Sequence, residues 1–107
     1  DDADPNRLEA LTTRLASLGK AKISIGTTNP TGFDVIVNAT PMGMQPNDPL
    51  PFDASKLVAT QFVSDVVTLP ELSKLMQASQ DKGCKTVTGN EMFYCVRDLV
   101  VDFLLSE

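Results

Sequence analysis

Two short runs constrain this chain more than anything else in it. "DVIVNA" (residues 34–39) is a continuous, mostly β-branched run, and "QFVSDVV" (61–67), rich in valine, reads as a second buried strand; each is followed by turn-forming residues. A strand with one wet face alternates apolar and polar residues. A strand covered on both faces by helices reads as a continuous apolar run, and such strands belong to parallel sheets. The pattern predicts that "DVIVNA" is covered on both sides.

The rest of the chain supplies the helices. Asp4 followed by Pro5 predicts a helix start, a side-chain acceptor and then a fixed φ at the first helical position. Leu8, Leu11, Leu15 and Leu18 place an apolar face on that helix, and Gly19 ends it. "KAKISIG" reads as a short strand over residues 22–25, "TTNPTG" as a turn, and "DASKL" as one helical turn. Pro70 and Glu71 predict the opening of a helix running to about Asp81, with Leu72, Leu75 and Met76 on one face and Gly83 closing it. "KTVTG" predicts a third short strand at residues 85–87. "EMFYCVRDLVVDFLL" predicts a last helix that buries Met92, Val96, Leu99, Val100 and Phe103. Strands alternating with helices through short connections imply an α/β fold with a mostly parallel sheet.

Composition narrows the chemistry. A net charge of −5 gives no basic footprint for nucleic acid or an anionic membrane surface, and no apolar run is long enough to span a bilayer. The sequence has no histidine, which excludes a histidine general base and leaves zinc without its commonest ligand. Cys84 and Cys95 are expected to be free, reduced thiols of a cytoplasmic protein. The start on "DDAD", without an initiator Met, reads as a start inside a larger protein.

In open parallel sheets, ligands bind beyond the carboxyl ends of the strands. That rule singles out residues 38–44, 65–68 and 88–92. In "NATPMGM", Ala39 and Gly43 are small enough for another backbone or a ligand to approach closely, and Pro41 disfavours helical geometry at Thr40. Asn38 either contacts a ligand or ties the loop to its neighbour through its side-chain amide. These features fit a dinucleotide-binding domain, and equally a strand end followed by an ordinary turn.

Taken together and in order, the segments resemble the shikimate/quinate dehydrogenase family. "NATPMGM" is similar to that family's Asn-Ala-Thr-Pro-x-Gly-Met motif, and "DPLPFD" follows at the usual distance. "FVSDVVTLPELSKLMQASQDKGCKTVTGNEM" is similar to the strand–helix–strand segment that ends in Gly-x-x-Met. The resemblance implies a partial Rossmann-like, doubly wound parallel sheet, its third to sixth strands with flanking helices. The chain would be the later part of a nicotinamide-cofactor domain, with the Gly-rich loop and the N-terminal substrate domain outside residues 1–107. It implies hydride transfer between NAD(P) and a cyclic hydroxy acid such as shikimate, a small-molecule substrate, within aromatic amino acid biosynthesis. Homo-oligomerisation is left open.

The resemblance also assigns residues. Asn38, Ala39 and Thr40 fall at the cofactor, with Val66 beside the nicotinamide and Gly89 and Met92 flanking its ring. On the residues alone, Val66 and Met92 read equally as core and Gly89 as a turn glycine. Asp2 is placed to bind the adenosine ribose, which favours NAD over NADP, and Arg7 to lie over the adenine; both also suit a helix N-terminus. Thr68 stands where the family has a substrate-contacting tyrosine, and Val96 where it has a glutamine. A valine lacks the donor and acceptor that a polyhydroxylated acid would use. No G-x-G-x-x-G occurs, and no lysine lies in a catalytic motif, so no catalytic residue is assigned and the chain alone is expected to be inactive. Two other readings stay open: a non-catalytic or vestigial dinucleotide-binding or interaction domain, and a faint echo of methyltransferase strand ends in "FDVIVNATP".

Overall fold

The computed structural model describes residues 4–26 and 28–106. Chain order is helix α1 (Pro5–Ser17), strand β1 (Val35–Asn38), a single 3-10 turn (Ala54–Lys56), strand β2 (Phe62–Asp65), helix α2 (Lys74–Asp81), strand β3 (Lys85–Val87) and helix α3 (Gly89–Leu105). The three strands form one parallel sheet in the order β1-β2-β3. Register pairs Val35 with Phe62 and Asn38 with Asp65 on one side of β2, and Phe62 with Lys85 on the other. All three carboxyl ends therefore lie along the same edge. This is the parallel α/β arrangement that the strand and helix pattern implies, with three strands of the expected sheet.

Capping residues start the helices. The Asp4 side chain accepts from the backbone N–H groups of Asn6 and Arg7, so the Asp-Pro signal holds. Ser73 accepts from Met76 N to open α2. Thr88 and Glu91 form a reciprocal capping box at α3. Gly83, at φ +80, turns the chain out of α2 into β3.

The core lies between the sheet and α2. Val63, Leu75, Met76, Leu57, Ala54 and Cys84 are buried together, with Ile36, Phe52 and Ala78 packed against them. Gln61 secures the amino end of β2. Its buried amide donates to the carbonyls of Pro30 and Phe33, both at 2.7 Å, and accepts from Val58 N at 2.9 Å.

Four expectations need correction. Residues 22–25 form no strand, because among the described residues no neighbouring strand offers a ladder to pair with. β1 is not covered on both faces: Ile36 packs inward, but Val35 and Val37 are exposed. Leu11, Leu15 and Leu18 on α1, and Val96, Leu99, Val100 and Phe103 on α3, are exposed rather than buried. α2 begins at Lys74 rather than at Pro70 and Glu71, because Ser73 supplies the cap; Pro70 instead follows a cis peptide bond, and Leu72 is left exposed.

Candidate nucleotide site at the strand ends

The carboxyl ends of β1 and β2 are joined by a buried polar cluster built on Asp65 and Asn38. Asp65 is fully buried, and Asn38 is 2% exposed. Asp65 Oδ1 accepts from Asn38 Nδ2 at 3.0 Å and from Val67 N at 3.1 Å. Asp65 Oδ2 accepts from Ser73 Oγ at 2.6 Å, and Ser73 Oγ in turn accepts from Met76 N at 3.2 Å. One carboxylate thus ties both strand ends to the start of α2.

Asn38 spends its whole side chain on the turn that follows. Nδ2 donates its second hydrogen to Met42 O at 3.2 Å. Oδ1 accepts from Thr40 N at 3.1 Å and from Thr40 Oγ1 at 2.7 Å. An amide has two N–H donors and two acceptor positions, so none is left for a ligand. Of the two readings of Asn38, the structure displays the tie.

The turn's own N–H groups are consumed as well. Met42 N donates to Thr40 Oγ1 at 3.2 Å, and Met44 N to Pro41 O at 3.1 Å. Asp48 Oδ2 accepts from Gly43 N and Gln45 N, both at 3.0 Å. Those bonds, from Gln45 first and then Gly43, hold the Asp48 carboxyl below its ordinary value of 3.8. Pro41 and Pro46 have no N–H. From Thr40 to Pro46 the backbone has no donor left for an anion. What the turn offers is carbonyl oxygen, the exposed Ala39 and methionine side chains.

Gly89 closes the group. A Cβ built on Gly89 would lie 2.2 Å from the Val67 carbonyl oxygen and 2.8 Å from the Val66 carbonyl carbon, so only glycine lets α3 start so close to the end of β2. Val66 N donates to Asn38 O at 3.1 Å. Asn38, Ala39, Thr40, Val66 and Gly89 are therefore assembled at one edge. Met92 is half-buried one helical turn further along α3, and Thr68 is exposed just beyond Val67. Arg7 is not part of this group: it is exposed on α1, with Nε 3.7 Å from Asp4 Oδ2. Asp2 lies outside the described residues.

Two concavities open on the turn. One of about 240 Å³ runs along β1 and is lined by Val35, Val37, Asn38, Thr40, Phe33 and Phe52 among others. The other, of about 380 Å³, lies between Met44 and Pro46 on one side and Leu69, Pro70 and Leu72 on the other, with Lys74 at its edge. Neither includes Val66, Gly89 or Met92. Asp65, Ser73 and Asp48 carry no role that was expected from the sequence. The available signal was an aspartate inside a β-branched run, where a carboxylate has to find donors.

Among the described residues no group of three or more His, Cys, Asp or Glu is arranged to hold a metal ion, and no helix is long and apolar enough to cross a membrane. Cys84 is a buried free thiol and Cys95 an exposed one.

No family model matches the chain. Curated relatives do. A quinate/shikimate dehydrogenase (NAD(+)) of Corynebacterium efficiens is 33% identical over 103 residues, 85% of this chain and 34% of that protein. The protein of the same name from Corynebacterium glutamicum is 42% identical over 59 residues, 55% of this chain and 21% of that protein. Among solved structures, quinate dehydrogenase from Corynebacterium glutamicum in complex with NAD matches with TM-score 0.70 and 32% identity over 85% of this chain and 34% of that one. A shikimate dehydrogenase in complex with NADP+ matches with TM-score 0.69 and 29% identity, over 79% of this chain and 32% of that one. The ligand-free 5-ketofructose reductase of a Gluconobacter strain matches with TM-score 0.71 and 26% identity, over 84% of this chain and 35% of that one. The chain spans about a third of the length of the longest of these matches. Over that span, by sequence and by the parallel sheet it forms, the chain is homologous to the later part of the shikimate/quinate dehydrogenases.

Proposed function

We propose that this chain is the nicotinamide-facing part of the cofactor domain of an NAD(P)-dependent oxidoreductase that acts on a cyclic hydroxy acid. The observation carrying this reading is the strand-end group of Ala39, Thr40, Val66 and Gly89, whose backbones converge because Gly89 admits Val67 so closely. Its lack of free donors suits only one end of a dinucleotide. The residue 40–46 turn has no free N–H for a pyrophosphate, but its surplus of acceptors suits a carboxamide and a cationic ring. When bound, the nicotinamide would supply or accept the hydride.

The chain's own residues have positioning roles. Ala39 keeps bulk away from the ring, Gly89 lets α3 start close enough to β2 to border it, and Val66 lines it with backbone. Met92 packs an adaptable apolar side chain against it. Thr68, exposed next to this group, offers a hydroxyl to the substrate. Asn38 and Thr40 act from below by holding the turn. No residue of the chain is assigned to proton transfer, so that step belongs to residues elsewhere in the whole protein.

NAD is the favoured cofactor, since the relatives from Corynebacterium are named for NAD(+) and, by the sequence resemblance alone, Asp2 matches the acidic position that repels a 2′-phosphate. A solved relative in complex with NADP+ makes the comparison necessary. The test is NADH and NADPH binding to the full-length protein, followed by turnover of quinate and shikimate. Binding of NADH in preference to NADPH, with turnover, supports the reading; absence of binding to either cofactor sinks it.

Val96 favours a second reading in which the cofactor domain is retained but hydroxy-acid turnover is lost. Gly89, Met92 and Val96 share one helical face, and that face carries no hydrogen-bonding side chain for a substrate. Cofactor binding without quinate or shikimate turnover would select this reading, or a different substrate. The similarity to a 5-ketofructose reductase shows that the fold accompanies more than one named substrate.

A further inference from the structure

Asp65 is the group whose chemistry the proposed function leaves unexplained. It is a fully buried carboxyl with three hydrogen-bond donors around it. Among the described residues the ion pairs are Arg7–Asp4, Lys56–Asp53 and Arg97–Asp98, none involving Asp65. For stability alone such a group is a poor choice, because burial of a carboxylate is unfavourable and an apolar residue of similar size packs as well. A carboxylate does one thing that neither an amide nor an apolar side chain does: it accepts at both oxygens and donates at neither.

That property orients Asn38. With acceptors at Asp65 Oδ1 and Met42 O, the Asn38 NH₂ is directed toward both, which leaves Oδ1 toward Thr40. Thr40 N and Thr40 Oγ1 are then drawn inward, and Thr40 Oγ1 in turn takes up Met42 N. The same Asp65 oxygen also receives Val67 N, which aims the peptide packed against Gly89. One acceptor-only group therefore sets which polarity the strand ends show to the outside.

We propose that Asp65 is a positioning residue of the cofactor site. Acting through Asn38 and the Val67 amide, it holds the 40–46 turn in the donor-free form that receives the nicotinamide end of the cofactor and not its phosphates. This rests on the cofactor-domain reading above.

The test uses the full-length protein with Asp65→Ala, the near-isosteric Asp65→Asn, and Gln61→Met as a control. Gln61 is equally buried and hydrogen-bonded, but at the opposite end of β2. Without ligand, amide hydrogen exchange at Thr40, Met42 and Val67 is expected to accelerate in both Asp65 variants and not in Gln61→Met. With ligand, the NADH Kd is expected to weaken about tenfold in Asp65→Ala, equivalent to ~1.4 kcal/mol, while the ADP-ribose Kd stays as in the unmutated protein. The emission shift of bound NADH should shrink in parallel. Asp65→Asn, which keeps one acceptor oxygen, is expected to fall between Asp65→Ala and the unmutated protein. It carries the test if the alanine variant does not fold. If the Asp65 variants lower Tm as Gln61→Met does but leave exchange at these amides and NADH affinity unchanged, the inference is overturned and the cofactor reading stands. If the unmutated protein binds none of NADH, NADPH and ADP-ribose, the cofactor reading falls and this inference with it.

Discussion

At the residue scale, two positions act through backbone groups that no composition count would reveal. Gly89 is required by proximity, not by backbone angle: its φ is unremarkable, but a Cβ would meet the Val66–Val67 backbone. Backbone does not yield as a flexible side chain does. Gly89→Ala is therefore expected to destabilise by ~1–3 kcal/mol, read by denaturant unfolding, and to push α3 away from β2. Asp48 acts through charge. Its pKa is lowered in the folded chain, so its contribution is fully present above its ordinary value of 3.8 and is lost as pH falls through the lower folded value. The 43–48 turn should therefore loosen below about pH 4 in the unmutated protein. In Asp48→Asn the acid-dependent part should vanish, seen as protection of the Gly43 and Gln45 amides, relative to their intrinsic exchange rates, that no longer changes across that range. An acid response that persists in Asp48→Asn would place the titrating group elsewhere.

At the element scale, the helices differ in what holds them. α2 is held by packing, with Leu75, Met76 and Ser79 buried. α1 buries nothing, and α3 buries only Gly89. Their local signals are correspondingly strong: Asp4 and Pro5 for α1, and a complete capping box for α3. Leu75→Ala is expected to cost ~2–5 kcal/mol because it opens a cavity between α2 and the sheet. Asp4→Ala should cost at most ~1–2 kcal/mol, and only of α1 helicity, because little tertiary structure depends on that helix. Far-UV circular dichroism and urea midpoints separate the two cases; an Asp4→Ala effect as large as that of Leu75→Ala would mean that α1 docks after all.

At the scale of the whole molecule, the apolar surface is the main fact. Val35 and Val37 on the sheet, Leu11, Leu15 and Leu18 on α1, and Leu99, Phe103, Leu104 and Leu105 on α3 are all exposed. Apolar stripes of this extent belong against other structure. The chain spans about a third of the length of its relatives, and the described 40–46 turn leaves no backbone N–H free for a phosphate. The 107-residue chain alone is accordingly expected to show no quinate or shikimate dehydrogenase activity; turnover by the purified chain would refute this. In the full-length protein, Thr68→Tyr with Val96→Gln is expected to raise shikimate kcat/KM by roughly 10-fold or more if the pocket is otherwise like its relatives, since each change restores a hydrogen-bonding group. Folded double variants with unchanged kinetics would show that these two positions do not face the substrate.

The sequence by itself determined the three strands that pair and pointed to their carboxyl ends as the place to look for a ligand. Runs of β-branched residues specify strands of a parallel sheet, though not how much of each is covered, and the ends of such strands are where ligands go. It also determined where α1 starts and α2 ends, because Asp-Pro and Gly83 act over a few residues. Tertiary structure decided whatever depended on a distant partner. Residues 22–25 have strand composition but no neighbour to complete a ladder, and the stripes of α1 and α3 have the helical period but nothing to cover them among the described residues. Asn38 was legible as either tie or contact, and only the position of Asp65, 27 residues away, settled what its amide does. Periodicity reports what an element can bury, whereas hydrogen bonds between strand ends depend on which residues the fold brings together.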